Sequence, residues 1–237
     1  MTQTLLDRAE FADNPEPRCP VVLLLDTSGS MQGRPIQELN EGLRAFGDAI
    51  KADRLASLRV EVAIVTFGGD VQAIDVRGGD ARQIPFDPHQ AFVTVDGFEP
   101  PKLKAKGGTP MGEAVRQALN LLRERKEIYK QTSLDYFRPW IFLITDGQPT
   151  DAWQPAAHQA REEESRKGVL VFGVGVEGAD MQTLAQFSNR QPLKLKGLAF
   201  EELFQWLSKS LSAVAHSRPG EQAALPPVGW AEVDTSH

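Results

Sequence analysis

Three short segments of this 237-residue chain carry side chains that could do chemistry together. Asp26-Thr27-Ser28-Gly29-Ser30 sets one carboxylate and two hydroxyls at alternate positions. Gly107-Gly108-Thr109-Pro110-Met111 adds a third hydroxyl, and Thr145-Asp146-Gly147 adds a second carboxylate. Asp26, Ser28, Ser30, Thr109 and Asp146 thus offer oxygen and nothing else. Hard divalent cations take oxygen ligands, and Mg²⁺ wants a near-octahedral set at about 2.0–2.1 Å while keeping waters. Two carboxylates would balance a dication, and hydroxyls and water would fill the shell, leaving one electrophilic position open. Each residue alone has a plainer use. Ser28 and Ser30 could be turn residues or a helix N-cap, Thr109 could cap the helix after it, and the two aspartates could be loop acids at strand ends.

The elements around these segments are those needed to bring them together. Pro20 to Asp26 and Trp140 to Asp146 are apolar runs that end in aspartate. Runs of this kind are strands buried on both faces, as in parallel sheets covered by helices. Leu58 to Gly68 and the run Val169 to Val176 read as further strands. Val71 to Val76 follows its neighbour after only Gly69-Asp70, too short for a parallel crossover, and is expected to fold back as an antiparallel edge strand. Between them, Ile36, Leu39, Leu43, Phe46 and Ile50 recur at helical spacing. Met111 to Tyr129, Ala156 to Lys167 and Phe200 to Val214 also read as helices, with Gly168 as the stop after the third. Strands alternating with helices predict an α/β, Rossmann-like three-layer sandwich: a mostly parallel central sheet, one antiparallel edge strand and helices on both faces. In such sheets ligands sit beyond the carboxyl ends of the strands, the edge to which Asp26 and Asp146 are delivered. Residues 1–18 are expected to be a flexible arm, 19–215 the single domain, and 216–237 a flexible tail with Trp230 as its one anchor candidate.

Composition narrows the function. The 26 Lys and Arg against 32 Asp and Glu give a formal net charge of −6, which argues against a nucleic-acid partner. No apolar run approaches the roughly 18 residues of a membrane span, and residues 1–17 lack the apolar core of a secretory signal. The one cysteine, Cys19, can form no internal disulfide or thiolate zinc site. A cytoplasmic protein is expected.

At the five oxygen-bearing positions the sequence resembles the von Willebrand factor A family. The metal-ion-dependent adhesion site of that family reads D-x-S-x-S, then a distant Thr, then a distant Asp after an apolar strand. The resemblance spans roughly residues 20–215. It implies that Asp26, Ser28, Ser30, Thr109 and Asp146 bind a divalent cation, Mg²⁺ first and Mn²⁺ or Ca²⁺ as alternatives. It also implies a protein partner whose Asp or Glu completes the shell. Within the family, DTSGSMQGRPIQELNEGL with GGTPMGEAV looks like the bacterial TerY-like proteins of tellurium-resistance and stress operons. That setting implies an intracellular, non-enzymatic scaffold whose partners include products of the same operon. The opposing readings are a Mg²⁺- or Mn²⁺-dependent hydrolase or phosphatase and a structural subunit that keeps the motif unused.

Other patterns are weaker. Gly173-Val174-Gly175-Val176-Glu177-Gly178 fits a dinucleotide fingerprint, but its first two glycines fall inside a predicted strand, where close backbone packing is the better explanation. His89, His158, His216 and His237 show no ligand spacing. Lys102, Lys104 and Lys106, with Arg34, read either as scattered surface charge or as a basic rim that steers an acidic partner.

Overall fold

The computed structural model describes residues 11–232. In chain order the elements are β1 (Cys19–Asp26), α1 (Arg34–Lys51), α2 (Arg54–Arg59), β2 (Val60–Gly68), β3 (Asp70–Ile74), β4 (Gln83–Ile84), α3 (Pro88–Ala91) and β5 (Val93–Thr94). They continue with α4 (Met111–Thr132), β6 (Trp140–Thr145), α5 (Gln154–Ser165), β7 (Leu170–Gly175), α6 (Met181–Leu184), β8 (Leu193–Leu195), α7 (Phe200–Ala215) and β9 (Ala231–Glu232). The sheet order is β4-β3-β2-β1-β6-β7-β8-β9, with β5 paired to β2. β2, β1, β6, β7 and β8 run parallel, and β3 folds back antiparallel on β2. This is the open, mostly parallel sheet with an antiparallel edge that the alternation of elements predicts.

The sandwich follows from a period of two. β1 is buried along its whole length. Val21, Leu23 and Leu25 point into one apolar layer with α1 and α7, while Val22 and Leu24 point into the other with α4 and α5. Successive side chains of a strand face opposite ways, so a strand with helices on both sides must be apolar throughout. In α1 the expected stripe Ile36, Leu39, Leu43, Phe46 and Ile50 is buried.

Four expectations need correction. β3 is not the outermost strand, because the two-residue β4 pairs beyond it. The left-handed residue after α5 is Lys167, at φ 59°, one position before Gly168. Residues 11–18 are not a loose arm. Phe11 is buried, with the guanidinium carbons of Arg18 and Arg125 at 5.3 and 5.1 Å from its ring centre. Arg18 and Arg125 both bond Glu61, at 3.0 and 2.9 Å, and the Tyr129 hydroxyl donates to the same carboxylate. Nor are residues 217–232 a loose tail. Trp230 is 3% exposed and packs 5.7 Å from Trp206, whose indole N–H donates to Pro226 O at 2.8 Å. β9 then pairs antiparallel with β8. Residues 1–10 and 233–237 of the expected arm and tail lie outside the described residues.

Gly173 and Gly175 sit within β7 as close-packing positions. A Cβ on Gly173 would meet Leu184 Cγ at 3.1 Å, and one on Gly175 would meet Met181 Sδ at 2.2 Å. These glycines let α6 lie against the strand, which accounts for the dinucleotide-like pattern.

Candidate functional site

β1 and β6 are neighbours in parallel register, with Leu25 opposite Ile144. Asp26 and Asp146 therefore leave the sheet side by side. Asp26 is fully buried, and its Oδ1 accepts from the Ser28 backbone N–H at 2.8 Å, which turns the chain back over the strand end. Its Oδ2 accepts from the Thr145 hydroxyl. The Ser28 and Ser30 hydroxyl oxygens are 3.0 Å apart, and Ser30 Oγ donates to Asp146 Oδ1 at 2.7 Å. A Cβ built on Gly147 would lie 3.2 Å from Thr109 Oγ1 and 3.8 Å from Asp26 Oδ2, so both oxygens face the same glycine. All five expected residues meet at one edge. Ser28, Thr109 and Asp146 are nearly buried, and Ser30 is exposed.

The Thr109 loop is held by backbone bonds from two sides. Gly29 N donates to Gly107 O and Gly69 N to Gly108 O, each at 2.8 Å, and Lys106 N donates to Thr27 O at 2.7 Å. Gly107 adopts φ +73°, and a Cβ there would sit 2.5 Å from Gly69 Cα. Only glycine permits both that conformation and that approach. On the other side, Thr109 N donates to Thr150 Oγ1 at 3.0 Å and Thr150 N donates to Thr109 O at 2.9 Å. Asp151 accepts from Gly112 N and Glu113 N at 3.0 and 2.8 Å, capping α4 just after Thr109. The supporting roles of Asp151, Thr145 and Thr150 are not among those expected from the sequence. No local spacing signals a cap that spans 39 residues.

Burial pushes the Asp26 carboxyl above its usual range, and the charge of Asp146 adds to this. Hydrogen bonds from Ser28 and Thr145 oppose the rise. Burial likewise raises Asp146, against the bond from Ser30. Among the described residues, no ion pair reaches either carboxylate. Two acids sunk among hydroxyls form a donor set suited to a hard cation, because buried charge is costly until it is paired. Among the described residues no group of three or more His, Cys, Asp or Glu is gathered for a metal, so any such site must recruit hydroxyls. Of the expected basic rim, Lys102, Lys104 and Lys106 are exposed beside the site, whereas Arg34 bonds Glu38 at 3.3 Å. Trp153 packs on Phe187 at 5.6 Å.

The sequence model of the von Willebrand factor type A domain matches residues 21–201. The chain belongs to that family. Type A domains often mediate metal-dependent protein–protein interactions. The inter-alpha-trypsin inhibitor heavy chain H4 of Sus scrofa is 28% identical over 174 residues, which are 70% of this chain and 17% of that one. Among solved structures, the von Willebrand factor type A protein from Catenulispora acidiphila superposes with a TM-score of 0.58 at 16% identity, covering 83% of this chain and 43% of that one. The pilus adhesin SpaC from Lactobacillus rhamnosus GG, in an open conformation, gives 0.58 at 17% identity, covering 85% and 31%. The type A domain described here thus spans well under half the length of each of these relatives, and the structural likenesses establish the fold. Among the described residues no helix is long and apolar enough to cross a membrane.

Proposed function

We propose that this type A domain is a non-enzymatic, metal-dependent protein-interaction module. Asp26, Ser28, Ser30, Thr109 and Asp146 would hold a divalent cation, with Mg²⁺ the first choice and Mn²⁺ or Ca²⁺ the alternatives. The cation would supply a positive centre to which an Asp or Glu of a protein partner binds. The observation that carries this reading is the hydrogen-bonded cluster of two buried carboxylates and the Ser28 and Ser30 hydroxyls, with Thr109 on its far side and, among the described residues, no ion pair to either carboxylate. The chain's own groups prepare the site. Thr145 and the Ser28 N–H orient Asp26, and Thr150 fixes the position of Thr109.

We further propose a placement in the bacterial cytoplasm, as a scaffold of a tellurium-resistance or stress operon, on the resemblance of DTSGSMQGRPIQELNEGL and GGTPMGEAV to the TerY-like proteins. Affinity capture from such a cell, with Mg²⁺ or with EDTA, tests both parts. Capture of operon products that is lost in EDTA and with Asp146→Ala is the expected result. Partners retained in both would reject the metal bridge. Turnover of phosphoester substrates by the Mg²⁺- or Mn²⁺-loaded protein would reject the non-enzymatic reading.

A further inference from the structure

The burial of the chain leading into the Thr109 loop alternates. Pro101 and Leu103 are buried, while Lys102, Lys104 and Lys106 are exposed. The stretch is fastened from below by Asn40 of α1, a nearly buried residue. Asn40 Oδ1 accepts from Leu103 N at 2.8 Å, and its Nδ2 donates to Leu103 O at 3.0 Å. At its far end Lys106 N donates to Thr27 O, between Asp26 and Ser28. The three lysines are therefore held in a row that starts at the candidate metal site.

They line a cavity of about 260 Å³ that is also lined by Thr27, the residue between Asp26 and Ser28. Asp70 and Asp80 also line it. Asp70 lies 3.9 Å from Lys106, with both side chains more than half exposed. Among the described residues, no ion pair engages Lys102 or Lys104. On a chain of net charge −6 this is a local patch of the opposite sign.

We propose that Lys102 and Lys104 form a second subsite of the same interface and take the carboxylates of an extended acidic segment of the partner. This rests on the reading in which the partner's leading Asp or Glu goes to the metal. Same-side residues of an extended chain repeat about every 6.6 Å. Three lysines at every second residue, on the exposed side of the stretch, match the alternation of side chains in an extended peptide. Lys106 is nearest the metal and stays with Asp70, so a leading acid would meet the metal, and acids four and six residues further along would meet Lys104 and then Lys102.

The test uses the full chain and two fluorescein-labelled peptides, followed by anisotropy. One contains Glu-Ala-Gln-Ala-Glu-Ala-Glu, and in the other the second and third Glu are replaced by Gln. In Mg²⁺ the three-acid peptide should bind about three- to tenfold tighter, the range expected of two exposed ion pairs. In the double variant Lys102→Gln, Lys104→Gln that advantage should fall below about twofold, with the affinity for the one-acid peptide unchanged. High salt should shrink the advantage in the wild type. No advantage in the wild type, an advantage that survives in the double variant, or no binding of either peptide would overturn the lysine subsite. EDTA separates the two readings. Loss of both peptides in EDTA supports the metal, whereas a lysine-dependent advantage that persists in EDTA would remove the metal bridge and leave the subsite standing.

Discussion

Ser30 and Asp146, 116 residues apart in the chain, are joined by a hydrogen bond of 2.7 Å. Ser30 is exposed and Asp146 nearly buried, so the bond ties the outer lip of the site to its floor. Asp146→Ala removes that tie together with half of the site's negative charge. It should weaken Mg²⁺ binding more than Thr109→Ala, since a charged oxygen counts for more than a neutral one toward a hard cation. Calorimetric titration with Mg²⁺ checks the order, and circular dichroism should show both variants folded. Equal losses would mean that charge balance does not govern the site.

Metal should stabilise the domain without being needed for its fold, because the two apolar layers are built far from the site. At 100 times the dissociation constant, linkage gives about 2.7 kcal/mol. For a domain of this size that is a rise in Tm of about 5–10 °C. Melts in Mg²⁺ and in EDTA measure it, and unfolding at room temperature in EDTA would contradict it.

The fold's central order was legible because β1 and β6 are apolar on both faces, which only a covered parallel sheet explains. That the five candidate residues would meet at one edge was legible because each sits at a strand end or in a Gly-rich loop. The terminal segments were not. Phe11 and Trp230 are single aromatic anchors without the periodicity that marks a strand or helix, and each docks on a ring outside its own segment, Tyr129 and Trp206. Glu61 could have given a warning: a lone acid inside the buried run of β2 requires a partner.

That partnership sets a pH dependence. Burial alone would raise the Glu61 carboxyl, but the charge and hydrogen bond of Arg125, with Tyr129 and Arg18, outweigh it and hold the group below its ordinary value. A carboxyl depressed in the fold adds stability above its unfolded pKa, about 4.3, and loses it as pH falls toward the folded value. Stability should therefore decline below about pH 4.5, and less steeply in Glu61→Gln. Denaturant titrations between pH 3 and 7 check this, and parallel curves would reject it.

Removing the Glu61 carboxylate takes the shared counter-charge from two buried arginines. Glu61→Ala should cost about 3–5 kcal/mol, the range for breaking a buried ion pair by removing one member. Urea unfolding at pH 7 measures it. A loss below about 1 kcal/mol would show that Arg18 and Arg125 find other partners.

At the other terminus, Trp230→Ala should cost about 3–5 kcal/mol, as for a large aromatic removed from a packed site. Trp206 should then become more accessible to a fluorescence quencher, because Trp230 covers it. An unchanged Tm with unchanged quenching would mean that the segment after His216 does not contribute to the fold.

The stitching of Gly29 to Gly107, and of Thr109 to Thr150, has a kinetic consequence. The candidate site joins segments separated by most of the domain's length, and its oxygens converge only when β1, β6 and the loop before α4 are all in place. Contacts so distant in sequence form late, after the cost of closing their loops has been met. A cation arriving early would find scattered single ligands, so metal capture cannot nucleate this chain. Mg²⁺ should therefore slow unfolding while leaving the refolding rate nearly unchanged, because the cation grips an arrangement that the folding barrier does not yet contain.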